Sequence, residues 1–189
     1  MFQNYDDPGG PALGRKHLPQ WRKALKAASL DGFIIPHEDE WQNEYVPPAY
    51  DRLAWATGFT GSAGAAVVFA DEAAIFVDGR YTLQVRAQVD GGLYQYKDLI
   101  DGGPSQYLRE HAPKGGKIGY DPKLHSPDSL ERLRAAVTAA APNWSPLRKI
   151  RSMPSGMTGP PCPRRWCSPM PNSTLARALH RNAIVSARA

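Results

Sequence analysis

The chain reads as an α/β domain with a mixed β-sheet flanked by helices. Three observations lead there. Short apolar runs at 33–35, 65–69 and 73–77 have the length of strands, and segments with helical spacing alternate with them. The runs 65–69 and 73–77 are split by Asp71-Glu72, which marks a hairpin turn. The chain has 189 residues, 42% hydrophobic and 22% charged, a globular composition that suits one domain with a tail.

In order, 18–30 predicts a helix, with Trp21, Leu25 and Ala28 at helical spacing and Pro19 in its first turn. Asp31-Gly32 stops it, and 33–35 is a buried strand ending at Pro36. Residues 37–52 read as a long irregular loop rich in charge and aromatics. After Gly64 come the hairpin strands 65–69 and 73–77. Residues 81–89 form a helix closed by Asp90-Gly91-Gly92, and 93–97 a strand. A short helix over 104–111 and a strand over 117–120 follow. Ser126-Pro127-Asp128 opens the last helix, with Ser126 as N-cap and Pro127 in the first position. That helix turns Leu130, Leu133, Val137 and Ala141 inward and ends before Pro142. There is no internal repeat.

Composition excludes several classes. No run of about 18 apolar residues exists to cross a membrane. The acidic, Gly/Pro-rich start MFQNYDDPGG lacks the basic and apolar regions of a signal peptide, so the expected compartment is the cytoplasm. Two cysteines, Cys162 and Cys167, exclude a disulfide-dense scaffold and a four-cysteine zinc site. They are five apart with no helper residues, which is weak ground for metal or redox work.

The formal charge of +5 is unevenly spread. Residues 1–147 hold 15 basic and 18 acidic residues, a net of −3. Residues 148–189 hold eight basic residues, no acid and six prolines. Such a segment buries too little apolar surface to offset its ordering entropy, so the expected organisation is a domain over 1–147 and a mostly disordered basic tail over 148–189. Arginines without aromatic stacking platforms or a fold are weak evidence for a nucleic-acid interface; a basic-tailed nucleic-acid binder ranks last among the readings, and no nucleic-acid or membrane partner is expected.

Several residues carry chemistry by type, and each has a structural reading beside it. Gly58, Gly61, Ser62 and Gly64 lie in TGFTGSAG, which lacks the glycine two residues before the serine that a nucleophile elbow needs. It matches neither a dinucleotide nor a Walker loop, so its glycines read as devices for a tight turn before a strand. His37, Glu38, Asp39, Glu40 and Glu44 concentrate metal-ligand types, but without an H-E-x-x-H helix they read as a solvated acidic loop, some of them capping helices or pairing with arginine. His17, His111, His125 and His180 are isolated and read as surface or structural. In Asp78-Gly79-Arg80-Tyr81, the Asp suits a cap, the Gly a sharp turn and Arg80 an ion pair. Arg52, beside Asp51, is a second arginine for a buried ion pair or for a substrate carboxylate or neighbouring domain.

Taken together these strings are specific. Asp39, Glu44 and Tyr45, then Arg52, then TGFTGSAG, then the hairpin, then DGRY-x-x-Q from Asp78 to Gln84, closely resemble the N-terminal domain of Xaa-Pro aminopeptidase, or aminopeptidase P, of the creatinase/prolidase pita-bread metallopeptidases. The resemblance spans about residues 15–147. It implies a ribonuclease H-like sheet flanked by helices, a related second domain and a C-terminal catalytic domain. It also implies two manganese or similar divalent ions held there by two Asp, one His and two Glu. The implied reaction removes an N-terminal residue ahead of proline, acting on proline-containing peptides. No segment here resembles that catalytic domain, so the resemblance carries over no catalytic or metal residue and no cofactor on this chain. It implies an accessory role, bordering the substrate entrance, for which Arg52, Tyr81 and Gln84 are the candidates. It implies a structural role for Gly58, Gly61, Ser62, Gly64, Asp78, Gly79 and Arg80. The alternative is a stand-alone interaction domain, such as a homodimer formed through sheet edges.

The resemblance stops near Leu147. Back-translated and shifted by two bases, Arg148–Pro160 can encode Glu-Asn-Pro-Ile-Asp-Ala-Val-Trp-Asp-Asp-Arg-Pro, with Met153-Pro154 forcing the Ala and Met157-Thr158 forcing an Asp. That string is similar to the segment that follows in the family. A frameshift at about 147–148 is therefore expected, and it explains the loss of acids and the arginine and proline excess in one step.

Overall fold

The computed structural model describes residues 9–138 and 143–144. Its elements in order are α1 (Pro11–Ala27), β1 (Gly32–Pro36), α2 (Arg52–Thr57), β2 (Gly64–Phe69), β3 (Ala73–Val77), a 3-10 turn (Gly79–Tyr81) and α3 (Thr82–Gln88). Then come β4 (Gln95–Asp98), α4 (Gly103–His111), β5 (Lys117–Gly119), α5 (Pro127–Thr138) and β6 (Asn143–Trp144). The strands form one mixed sheet in the order β4-β3-β2-β1-β5-β6.

Alternation along the strands builds two cores, one on each face of the sheet. Phe33, Ile35, Ala66, Val68, Ile75 and Val77 join Leu18, Trp21 and Leu25 of α1 and Val85 of α3 in one cluster. Ile34, Val67, Phe69, Phe76 and Ile118 join Tyr107 and Leu108 of α4 and Leu133 of α5 in the other. Both faces being covered explains why these strands read as continuous apolar runs.

β2 is antiparallel to β1 and β3, while β4 is parallel to β3 and β5 to β1. The C-terminal ends of β1, β3, β4 and β5 therefore share one edge of the sheet. The N-terminal end of β2 lies there too.

Several expectations need correction. The first helix begins at Pro11, not at 18, so Pro19 lies in its interior. The buried stripe of His17, Leu18, Trp21, Ala24 and Leu25 holds the helix through the lost hydrogen bond. The loop 37–52 gives way to the six-residue helix α2, which Asp51 caps by accepting from Ala54 N–H at 2.9 Å and Gly58 closes in the left-handed region. The fourth strand starts at Gln95, because residues 91–93 are turn. The last helix does begin as read, with Ser126 Oγ accepting from Ser129 N–H at 3.2 Å. Val137 and Ala141, His180, both cysteines and the basic tail lie outside the side chains described.

Candidate functional site

The residues singled out in the sequence converge on that shared sheet edge, in two neighbouring groups. The first is organised by Tyr81, at the end of the 3-10 turn. Its hydroxyl accepts from Ser62 N–H at 3.1 Å and shares a hydrogen bond with Ser62 Oγ at 2.8 Å. Its ring meets Phe59 edge-on with centroids 5.5 Å apart. Ser62 Oγ also donates to Glu44 Oε1 at 3.4 Å. Behind it, Gln84 Nε2 donates to Thr60 Oγ1 at 3.3 Å and to Gln88 Oε1 at 3.1 Å. Gln88 closes the clamp, accepting from Thr60 N–H at 3.1 Å and donating to Thr60 Oγ1 at 2.7 Å. The DGRY-x-x-Q string thus holds the TGFTGSAG loop in place. Gln88 was missed in the sequence, although its i,i+4 spacing from Gln84 puts both on one helix face.

The glycines of the loop have distinct reasons. A Cβ on Gly61 would overlap the Phe59 ring, and one on Gly64 would crowd Phe76 O at 3.0 Å. Gly58 has φ 91° and takes a hydrogen bond from Gly10 N–H at 3.0 Å, so close that a Cβ would land on Gly10 O. Gly79 differs: its φ is ordinary and a Cβ would meet nothing within 4 Å, so the turn does not demand a glycine there. What shapes the turn is Asp78, whose carboxylate accepts from Arg80 N–H at 2.9 Å and from Arg80 Nε and Nη2. Those contacts hold the Asp78 carboxyl below its ordinary range.

The second group surrounds Arg52. It faces Glu40 at 3.7 Å and Asp121 at 4.0 Å, and Lys123 Nζ reaches Glu40 at 3.4 Å. Arg52 Nη1 is buried without a hydrogen-bond partner among the described residues. Burial raises the Asp51 carboxyl above its ordinary value, against the hydrogen bond from Ala54 N–H.

The acidic loop is not wholly solvated. Asp39 is 0% exposed, and its carboxylate accepts from Trp41 N–H at 2.9 Å, Asn43 N–H at 3.1 Å and Asn43 Nδ2 at 2.9 Å. Burial alone would raise its pKa, but these bonds and the Arg52 charge together lower it. His37 is buried too, with Nε2 2.8 Å from Glu44 O. Asp39→Ala is expected to cost about 2 kcal/mol by stranding three donors. Urea unfolding checks the magnitude, and faster hydrogen exchange at Trp41 and Asn43 checks the cause.

Among the described residues no group of three or more His, Cys, Asp or Glu could hold a metal ion. The donors that come nearest in sequence, His37 and Asp39, are engaged with the loop itself. The described residues do not fit a metal centre. The partners of Ser62 among the described residues are Tyr81 and Glu44, and no histidine is among them. The other described histidines pack: His17 stacks on Trp55 at 3.9 Å, His111 on Tyr107 at 4.0 Å, and His125 meets Tyr120 edge-on. What the edge presents is exposed Tyr45, Trp41 and Leu83, the guanidinium of Arg80 and the carboxylate of Glu44.

Residues 18–153 match the family described as the creatinase/prolidase N-terminal domain. Aminopeptidase P2 of Arabidopsis thaliana is 39% identical over 110 residues, 57% of this chain and 16% of its own length. A probable Xaa-Pro aminopeptidase P of Arthroderma otae is 35% identical over 136 residues, 71% of this chain and 22% of its own. The chain therefore spans about a fifth of the length of the curated relatives it matches. In fold, it is similar to the X-prolyl aminopeptidase of Caenorhabditis elegans, described as a cytosolic enzyme with a di-nuclear active site. The TM-score is 0.62 at 23% identity, covering 84% of this chain and 26% of that one. Among the described residues no helix is long and apolar enough to cross a membrane.

Proposed function

The chain belongs to the creatinase/prolidase N-terminal domain family, and from that premise we propose that it is the non-catalytic N-terminal domain of a metal-dependent Xaa-Pro aminopeptidase. The observation that carries this reading is the 35–39% identity to aminopeptidases of this class over more than half the chain. In this reading residues 1–147 are the domain and the two metal ions, manganese or similar, belong to a catalytic domain encoded beyond it. The substrate is a peptide with proline in second position, and the compartment is the cytoplasm. Glu44, Tyr81 and Arg80 lie on one edge, where an N-terminal domain can border a substrate entrance. Gln84 supports that edge from behind, and Arg52 braces the loop beside it. Residues 148–189 are the product of a frameshift near codon 147.

Two measurements test this. Resequencing the gene through codons 140–190 and onward is expected to find one base gained or lost, with the restored frame running on into a two-Asp, one-His, two-Glu metal domain. An intact frame with nothing of the kind downstream overturns the frameshift. The chain itself, assayed with an Xaa-Pro peptide and Mn²⁺, is expected to release no N-terminal residue above background, while the restored-frame protein does. Turnover by the 189-residue chain would overturn the non-catalytic reading.

A further inference from the structure

The loops on the shared sheet edge are unevenly charged. Residues 37–52, 78–81, 99–102 and 120–126 carry eight carboxylates against three cations. All three cations already face acids of the same set: Arg52 faces Glu40 and Asp121, Lys123 faces Glu40, and Arg80 faces Asp78. Glu38 and Glu44 stand exposed in a loop that also exposes Trp41, at 63%, and Tyr45, at 83%.

The chain leaves the described fold at this edge. β6 runs parallel to β5, so its C-terminal end points the way β5 and β1 point. β6 and β1 are each one strand from β5, and neighbouring strands lie about 4.8 Å apart, so the exit is roughly 10 Å from the end of β1. Residues 148–189 then supply eight cations and no acid. Forty-two residues can span up to about 140 Å, far more than the distance from the exit to loop 38–45 requires.

We propose that segment 148–189 docks in cis on the acidic, aromatic loop 38–45. Its arginines pair with Glu38 and Glu44 and lie over the Trp41 and Tyr45 rings. The inference rests on charge, aromatic exposure and the exit point of the chain. It rests on the residues of segment 148–189 as they stand in this chain, and it holds whether or not the domain belongs to a peptidase.

Cys162 and Cys167 are the only cysteines of the chain, and both lie in the segment, so a nitroxide label can be attached without substitution. In the full-length labelled chain at low salt, the amide signals of residues 38–45 are expected to be lost to paramagnetic broadening. They are expected to return at about 0.5 M NaCl, where the Debye length is about 4 Å. They are also expected to return at low salt in the double variant Glu38→Gln, Glu44→Gln, whose other amides report that the fold is retained. Broadening that survives high salt, ignores the double variant or centres elsewhere overturns the proposal. Broadening that grows with chain concentration overturns docking in cis and assigns the loop to the segment of a second copy.

Discussion

Gly58→Ala is expected to destabilise the domain by about 3 kcal/mol, from the left-handed backbone strain and the overpacking together. Gly58 closes α2 with φ 91°. Its carbonyl receives the Gly10 N–H, so the start of α1 lies directly against it. A methyl there meets backbone, Gly10 O on one side and Gln88 O on the other, which cannot rotate away as a side chain could. Urea unfolding should show a lower midpoint with an unchanged slope. Gly79→Ala, in the other motif, is expected to change stability by no more than about 0.5 kcal/mol. Equal effects of the two substitutions would mean that backbone crowding is not why the first motif carries its glycine.

The second large effect is of pH, and His125 carries it. Burial pushes its imidazole down to about 4 against a weaker upward pull from Asp121. The unfolded chain takes up this proton near pH 6.5, while the folded chain resists it until about pH 4. Between those values the unfolded state binds more protons, so stability falls as pH falls. The full difference corresponds to about 3 kcal/mol, complete by about pH 4. His17, whose pKa burial also lowers, adds to the loss in the same direction. The specific test is therefore a difference: His125→Leu is expected to flatten the dependence between pH 7 and pH 4.5 relative to the parent chain. Parallel curves for the two proteins would remove His125 as the cause.

Much of the fold was legible because burial on both sheet faces leaves a direct mark on the sequence. Phe33 to Ile35, Ala65 to Phe69 and Ala73 to Val77 are apolar without interruption, and all are buried strands. The α2 helix left no such mark: six residues cannot show a helical period. Its signals are the cap residues Asp51 and Gly58, which only the structure shows to belong to one helix. Pro19 misled because proline more often opens a helix than sits inside one. β4 is polar, as befits an edge strand, and only Tyr96 marked it.

The site was legible as motifs but not as contacts. That Ser62, Tyr81 and Glu44 meet, or that Thr60 is held by Gln88, depends on a sheet edge assembled from segments far apart in sequence. The burial of Asp39 was illegible for a related reason. Its desolvation is offset by donors from its own loop, and composition alone cannot distinguish such a carboxylate from a solvated one.

The strand order also sets a sequence of folding events. β2 and β3 are joined by a three-residue turn and pair over five residues, a local contact of the kind that forms in microseconds. β1 can zip onto β2 across the loop that contains α2. The parallel pairing of β1 with β5, Gly32 to Ile118, must wait for α3 and α4 and has the largest loop-closure entropy in the sheet. Mutations in the β2–β3 hairpin should therefore slow folding, while mutations at the β1–β5 seam should mainly hasten unfolding. During synthesis β1, β2 and β3 can assemble before β5 has left the ribosome, and the nascent chain then exposes the β5 side of β1 as an unpaired edge.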